Sequence, residues 1–116
     1  MDRILVQRKG IMSGEGKLSY WKDDDLVLET TSWEDPTNLI PTRTYTDCSK
    51  TTMIQKKREA IFLPDEQTGK KGIFLHEGRN QLWSDGCICI EKEKMDQILA
   101  SVSNEKGAIT VTVMQI

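Results

Sequence analysis

The sequence predicts a mainly β domain with one helix in its C-terminal half and a final strand. Three observations lead to this prediction: short apolar runs that alternate with polar residues, turn residues between those runs, and one stretch with helical periodicity. The 116 residues fit a single domain, 1–116, which is large enough to bury a core without disulfide bonds.

The first third of the chain predicts a meander of antiparallel strands at 3–12, 17–21 and 26–33. The segments "SGEG" and "DDD" separate these strands and are typical of turns. Pro36 and Pro41 each remove a backbone donor, so we expect a loop or an edge segment there, with a strand resuming at 43–48. Residues 51–65 favour strands, although "MIQKKREAIF" also has the pattern of a helix. Residues 66–72 are expected to form a loop, and 73–75 a buried strand.

A helix is predicted at about 91–104. Acidic Glu91 and Glu93 suit the first turn of a helix, while Asn104 and Gly107 favour its termination. The alternating "AITVTVMQI" then predicts the final strand. Four apolar side chains recur at i, i+3, i+4 and i+7 and form one stripe: Met95, Ile98, Leu99 and Val102.

The charge pattern and the apolar content limit the partners of the protein. The net charge is -2 with both signs interspersed, which argues against a nucleic-acid-binding face. We find no signal peptide and no segment of transmembrane length, so we expect a protein that is cytoplasmic as synthesised and does not bind a membrane. The three cysteines, Cys48, Cys87 and Cys89, are then expected to be free thiols.

The stretch "GIFLHEGRNQLWSDGCICI" (72–90) holds the only histidine and two of the cysteines. His76 ends one apolar run and Cys87 begins the next, so we expect both at strand ends that face the loop between them. An imidazole there would take the proton of the thiol and activate it as a nucleophile. Gly86 would permit a sharp turn, with backbone N–H groups around it facing an oxyanion. The alternative, an inert buried cysteine and a loop histidine, stays open on spacing alone.

"His-Glu-Gly" followed by "Ser-Asp-Gly-Cys-Ile" resembles the signature of the L,D-transpeptidase (YkuD-type) family. The closest resemblance is to compact phage and secreted-effector-like members with a Ser-x-Gly-Cys motif. His76 matches the first histidine of the family, and Ser84, Gly86, Cys87 and Ile88 match the later motif. The resemblance implies a β-sandwich or mixed sheet, with Cys87 as nucleophile and His76 as base.

The proline segment "NLIPTRTY" resembles the Thr-Pro-x-Gly-x-Tyr/Phe segment of the same family. Pro41 and Tyr45 match it, whereas Arg43 replaces the usual glycine. Two departures lie beside the nucleophile: Asp85 replaces the second histidine of the family motif, and Cys89 replaces the usual arginine or asparagine. An anion at Asp85 would disfavour the thiolate, so these departures leave the reaction outcome open.

Further residues are candidates for supporting roles. The backbone carbonyl or the carboxylate of Glu77 would orient the imidazole, as the third member of a triad does. Ser84 would donate a supporting hydrogen bond, and Cys89 is expected to be a core residue on the same face as Cys87. The candidate substrate contacts are Arg43, Tyr45, Arg79, Trp83 and Asp85.

The resemblance implies acyl transfer on peptidoglycan stem peptides, with a transpeptidase or carboxypeptidase outcome and no cofactor. Two alternatives are an inactive binding domain of the same fold and a cysteine peptidase that acts on another substrate. A metal site is disfavoured, because zinc sites usually place two or more residues between paired cysteines. Peptidoglycan lies outside the cytoplasm, so action in the periplasm would require phage lysis or a secretion system, with a delivery or immunity protein as partner.

Overall fold

The computed structural model describes residues 2–10, 14–54, 57–78 and 86–116. The mainly β class, the helix within 91–104 and the final strand are confirmed. Residues 51–53 and 58–63 belong to strands, as favoured over the alternative helix, while a short helix at Asp65–Thr68 occupies part of the predicted 66–72 loop. The elements, in chain order, are β1 (Asp2–Arg8), β2 (Glu15–Lys22), β3 (Asp25–Trp33), β4 (Arg43–Met53), β5 (Arg58–Leu63), α1 (Asp65–Thr68), β6 (Ile73–Glu77), β7 (Ile88–Ile90), α2 (Lys92–Ser101) and β8 (Ile109–Gln115).

The eight described strands form one closed barrel in the order β1-β2-β3-β7-β6-β5-β4-β8, and β8 pairs again with β1. The predicted antiparallel β1–β2–β3 meander is confirmed. Two neighbouring pairs are parallel, β1 with β8 and β6 with β7. Of the two arrangements that the resemblance implied, a β-sandwich or a mixed sheet, the sheet is mixed, and it closes into a barrel where a sandwich was the other expectation. Turn residues and apolar alternation predict which consecutive strands are neighbours. They do not predict whether the first and last strands pair and close the sheet into a barrel.

Alternating side chains fill the barrel, as the period of a strand requires. On β1, Ile4 and Val6 are almost fully buried, and their parallel neighbours Val111 and Val113 on β8 are buried beside them. The residues between these positions, Leu5 on β1 and Thr112 on β8, are only partly buried. The same alternation on the other strands makes one continuous core in the described part of the chain.

The predicted apolar stripe of α2 packs against this core. Met95, Ile98 and Val102 are buried in it, and Leu99 is partly buried beside it. The helix contacts β5 and β6. No helix in the described ranges is long and apolar enough to span a membrane.

Two lysines hold the C-terminal end of α2. Lys50 donates to the carbonyls of Leu99 at 2.9 Å and Val102 at 3.4 Å, and Lys22 donates to the carbonyl of Ser101 at 2.9 Å. The last carbonyls of a helix lack partners within it and carry partial negative charge, so ammonium groups stabilise this end. The contacts tie α2 to β2 and β4.

A buried ion pair joins the loop after β3 to the end of β1. Arg8 Nε donates to Glu34 Oε1 at 3.0 Å, and Arg8 Nη2 donates to Glu34 Oε2 at 2.8 Å and to the Ile40 carbonyl at 2.8 Å. The side chains of Arg8 and Glu34 are only 8% and 5% exposed. This contact holds the proline segment against the barrel.

Candidate functional site

His76 lies on β6 and Cys89 on the neighbouring strand β7, with Cys87 just before β7, but the two strands run parallel. Leu75 is paired with Ile88 and His76 with Cys89. The prediction that His76 and Cys87 both face one loop assumes a hairpin, in which the end of one strand meets the start of the next. In a parallel pair the register instead places Cys87 two residues behind the level of His76, which is roughly 6–7 Å along the strand.

The imidazole of His76 is held by the residue that follows it. His76 is 2% exposed, and its Nδ1 donates to the backbone carbonyl of Glu77 at 2.7 Å. A carbonyl only accepts, so Nδ1 carries the proton and, in the neutral ring, Nε2 is the proton acceptor. Of the two groups of Glu77 proposed to orient the ring, the backbone carbonyl makes this contact.

The sulfur of Cys89 on β7 contacts this imidazole. Cys89 Sγ lies 3.7 Å from His76 Nε2 and 3.9 Å from Nδ1. The expectation that Cys89 is buried is confirmed, because the residue has no exposed surface. Its contact with His76 was not predicted, and only the parallel register, which pairs these two residues, accounts for it.

Cys87 lies just before β7, beside the start of β6. The N–H of Phe74 donates to Cys87 Sγ at 3.3 Å, and the Cys87 thiol donates to the Gly72 carbonyl at 3.6 Å. The residue is 7% exposed, in contrast to Cys89. The Phe74 N–H would stabilise the negative charge of a thiolate, whereas the Gly72 carbonyl accepts only from the neutral thiol, so the two contacts act in opposite directions.

Gly86 adopts a backbone conformation that favours glycine. Its φ is 91°, and a Cβ at this position would lie 3.1 Å from Asn38 Nδ2 and 3.3 Å from Ile73 Cδ1. The turn that the sequence predicts before Cys87 is therefore present, and it requires glycine for both its dihedral and its space. The contact also shows that the proline segment reaches the motif through Asn38.

Lys70 contacts Asn38, the residue that approaches Gly86. Lys70 Nζ donates to the Asn38 carbonyl at 3.1 Å and also to Asn38 Oδ1. Sequence reasoning did not select Asn38 or Lys70. The only signal for Asn38 is its position in the proline segment, and Lys70 belongs to a stretch expected to be an ordinary loop.

A cleft of about 410 Å³ opens between α2 and the adjacent ends of β5 and β6. Glu77, the residue that orients His76, lines it together with Arg58, and their side chains form an ion pair at 3.5 Å. Met95 and Leu99 supply apolar wall, and Glu59 adds a second carboxylate. The volume falls in the range of small-molecule sites.

Of the predicted substrate contacts, the structure describes Arg43 and Tyr45. Tyr45 is fully buried, and its hydroxyl donates to the Pro41 carbonyl, so it belongs to the core and offers no open surface to a substrate. Exposed Arg43 lies over the Tyr45 ring, 5.4 Å from its centroid. The predicted contributions of Arg79, Trp83, Ser84 and Asp85 lie outside the described residues.

Cys48 stands apart from the other two cysteines. It lies on β4, is fully buried, and its thiol donates to the carbonyl of Tyr45 at 3.4 Å. Burial raises the pKa of Cys48 to about 12, because the thiolate would lose its hydration. Cys48 is therefore a structural thiol and serves as an internal reference for the reactivity of the others.

No protein-family model, curated protein or solved structure matches this chain. The resemblance to L,D-transpeptidases therefore rests on the motif residues alone.

Proposed function

We propose that the protein is a cysteine-dependent acyltransferase of the L,D-transpeptidase type, with Cys87 as nucleophile and His76 as base. One observation carries the proposal: His76 Nδ1 donates to the Glu77 carbonyl, which leaves Nε2 as a proton acceptor directed at β7. A base held in one tautomer by a third group is the arrangement that nucleophilic catalysis by a thiol needs.

Two properties favour Cys87 over Cys89 as the nucleophile. Cys87 retains exposed surface, whereas Cys89 has none. The Phe74 N–H also donates to the Cys87 sulfur and would stabilise its thiolate. Cys89 then acts as the resting hydrogen-bond donor to His76 Nε2. This bond must open, and the offset of roughly 6–7 Å between Cys87 and His76 along the strands must be closed, before the imidazole takes the proton of Cys87.

The resemblance supplies the reaction and the substrate class. Cys87 sulfur attacks the carbonyl between the L-centre of a diaminopimelate-like residue and a terminal D-amino acid, and His76 takes the thiol proton. The tetrahedral intermediate collapses to a thioester, and the leaving amine receives that proton from His76. An amine acceptor then gives exchange or cross-linking, whereas water gives carboxypeptidase activity and a free acid.

The cleft beside Glu77 would hold a distal part of a peptide substrate, because it lies three residues, roughly 10 Å, along β6 from Phe74, which contacts Cys87. It combines apolar wall from α2 with the Arg58–Glu77 pair, so it suits a peptide that carries both methylene groups and charges. Peptidoglycan lies outside the cytoplasm, and we propose that phage lysis or a secretion apparatus delivers the protein to it, with a delivery or immunity protein as partner.

The test is to incubate the protein with a peptidoglycan tetrapeptide and follow intact mass and released D-amino acid. We expect an acyl adduct on wild-type protein, no adduct on Cys87→Ala, and a strong loss of rate for His76→Ala. Cys48→Ala is the matched control and should retain the adduct, because Cys48 is buried elsewhere in the barrel. If wild-type protein gives neither adduct nor product, and Cys87→Ala is indistinguishable from it, the proposal is wrong. An adduct that persists in Cys87→Ala and disappears in Cys89→Ala would move the nucleophile to Cys89.

The contact between Cys89 and His76 favours a second candidate function, a non-catalytic binding domain. Here the thiol and the imidazole satisfy each other inside the protein, and no base is left for Cys87. Alkylation of Cys87 as a function of pH separates the two. The enzyme proposal expects Cys87 to reach its full alkylation rate at lower pH than it does in His76→Ala, whereas a binding domain gives the same pH curve for both proteins.

The same site would serve a cysteine peptidase that acts on another substrate. A screen of linear peptides beside peptidoglycan fragments distinguishes that activity, because only a peptidase forms the Cys87 adduct with peptides that lack a D-amino acid.

A further inference from the structure

We infer that Lys70 and Asn38 form an anion-binding subsite next to Cys87 and that this subsite accepts a carboxylate of the substrate. The inference deepens the proposed function, since it names the group that the substrate presents beside the nucleophile. Lys70 supplies a positive charge and Asn38 an amide donor.

The orientation of the Asn38 amide follows from its contact with Lys70. An ammonium group has donors only, so the atom of the Asn38 amide that Lys70 contacts must be the oxygen. The amide nitrogen is then directed away from the lysine and towards Gly86, where it lies 3.1 Å from the position that a Cβ would take. Two N–H donors thus lie against the residue that directly precedes the nucleophile.

Both members of the pair are held in place before any substrate arrives. Thr68, which is 2% exposed, donates through its hydroxyl to the Lys70 carbonyl at 2.9 Å and accepts from the Lys70 N–H at 3.2 Å. The Asn38 N–H donates to the Asp35 carbonyl at 3.0 Å in a turn. The nearby Asp35 carboxylate accepts from the N–H and the hydroxyl of Thr37 at 2.9 and 2.8 Å. These contacts fix the backbone of both residues, and the hydrogen bonds between Lys70 and Asn38 hold the two side chains against each other, so less ordering is needed when an anion binds.

The absence of a side chain at Gly86 keeps this donor close to the nucleophile. Any Cβ there would press on Asn38 Nδ2 and Ile73 Cδ1. Glycine therefore allows the amide to approach the chain at Gly86–Cys87. A carboxylate that enters beside Cys87 would meet the amide N–H first, with the Lys70 ammonium behind it on the oxygen side of the Asn38 amide, and both groups donate hydrogen bonds to carboxylates.

The test compares two alkylating agents that differ in charge. In both reactions the Cys87 thiolate forms an S–C bond, the C–I bond breaks and iodide leaves, but iodoacetate carries a carboxylate where iodoacetamide carries a neutral amide. The ratio of the two rates at Cys87, measured by peptide mass spectrometry against glutathione in the same solution, reports a local preference for anions.

We expect this ratio to exceed that of glutathione and to fall at least about threefold in Lys70→Gln, as the loss of one nearby unit charge predicts in water. Asn38→Ala should lower it less, because only the amide donor is lost. Lys71→Gln is the matched control, since Lys71 is the exposed neighbour of Lys70 and should leave the ratio unchanged.

The inference is wrong if Cys87 has the same ratio as glutathione, if Lys70→Gln and Lys71→Gln have equal effects, or if folded wild-type protein excludes both reagents from Cys87. A circular dichroism spectrum of each variant confirms that the fold is intact. Alkylation of Cys87 requires no acyl transfer. The alkylation ratio therefore tests the anion-binding subsite even if the tetrapeptide experiment shows no activity.

Discussion

The buried pair between Arg8 and Glu34 gives a quantitative prediction for the stability of the barrel. Glu34→Gln keeps the shape of the side chain but removes its charge, so one amide oxygen replaces two carboxylate oxygens opposite the guanidinium. In the native protein these oxygens accept from Arg8 at 3.0 and 2.8 Å. The amide N–H₂ would then face a group that only donates, and Arg8 would stay buried without a counter-charge.

Removal of one partner from a buried pair typically costs about 3–5 kcal/mol. Glutamine keeps one acceptor and Arg8 keeps the Ile40 carbonyl, so we expect the lower end, about 3 kcal/mol. Urea unfolding of a domain of this size has a slope of about 1–3 kcal/mol per M, so the midpoint should fall by about 1–3 M.

Glu29→Gln is the matched control for the same assay. Glu29 pairs with Lys17 on neighbouring strands, but their side chains are 40% and 50% exposed. An exposed pair of this kind contributes at most about 1 kcal/mol. Equal midpoints for Glu34→Gln and Glu29→Gln, with unchanged slopes, would refute the argument that burial makes the Arg8 pair costly to break.

Two further predictions concern pH and backbone conformation. Because the pKa of Cys48 rises from 9.0 to about 12 on folding, the unfolded chain loses this proton first. The free energy of unfolding should then fall as pH increases between these values. Its slope against pH, measured by urea unfolding at several pH values, should exceed the slope for Cys48→Ala by the equivalent of up to one proton. Gly86→Ala should destabilise the protein by at least about 1 kcal/mol, because φ is 91° and the new Cβ meets Asn38 and Ile73. It should also change the alkylation rate of Cys87; a stability and a rate equal to wild type would contradict the conformation at Gly86.

The local parts of the fold could be predicted from the sequence. The stripe of α2 and the alternation of β8 depend on residues close in the chain, and the structure confirms both. The closure of the barrel could not be predicted in this way. It depends on the pairing of β1 with β8, whose residues are about a hundred positions apart, and apolar alternation is the same in a sandwich and in a barrel.

The same limit applies to the candidate site, where contacts between residues adjacent in the chain could be predicted and contacts between strands could not. The sequence correctly selected His76 and Glu77 as neighbours in contact, since they are adjacent in the chain. It placed His76 and Cys87 at one loop, because spacing carries no information on whether two strands run parallel or antiparallel. The register of a parallel pair puts Cys89 beside the imidazole. The approach of Asn38 to Gly86 and of Lys70 to Asn38 arises only in three dimensions.

The position of β8 also determines when the protein can complete its fold during synthesis. This strand lies between β1 and β4, and it contributes hydrogen bonds to both. Until the ribosome has released it, both of those strands present unpaired backbone N–H and C=O groups at an open edge, to which a strand from a second chain can add. Nascent chains that lack β8 should therefore depend on chaperones, and the arrival of β8 ends that exposure at both edges in a single step.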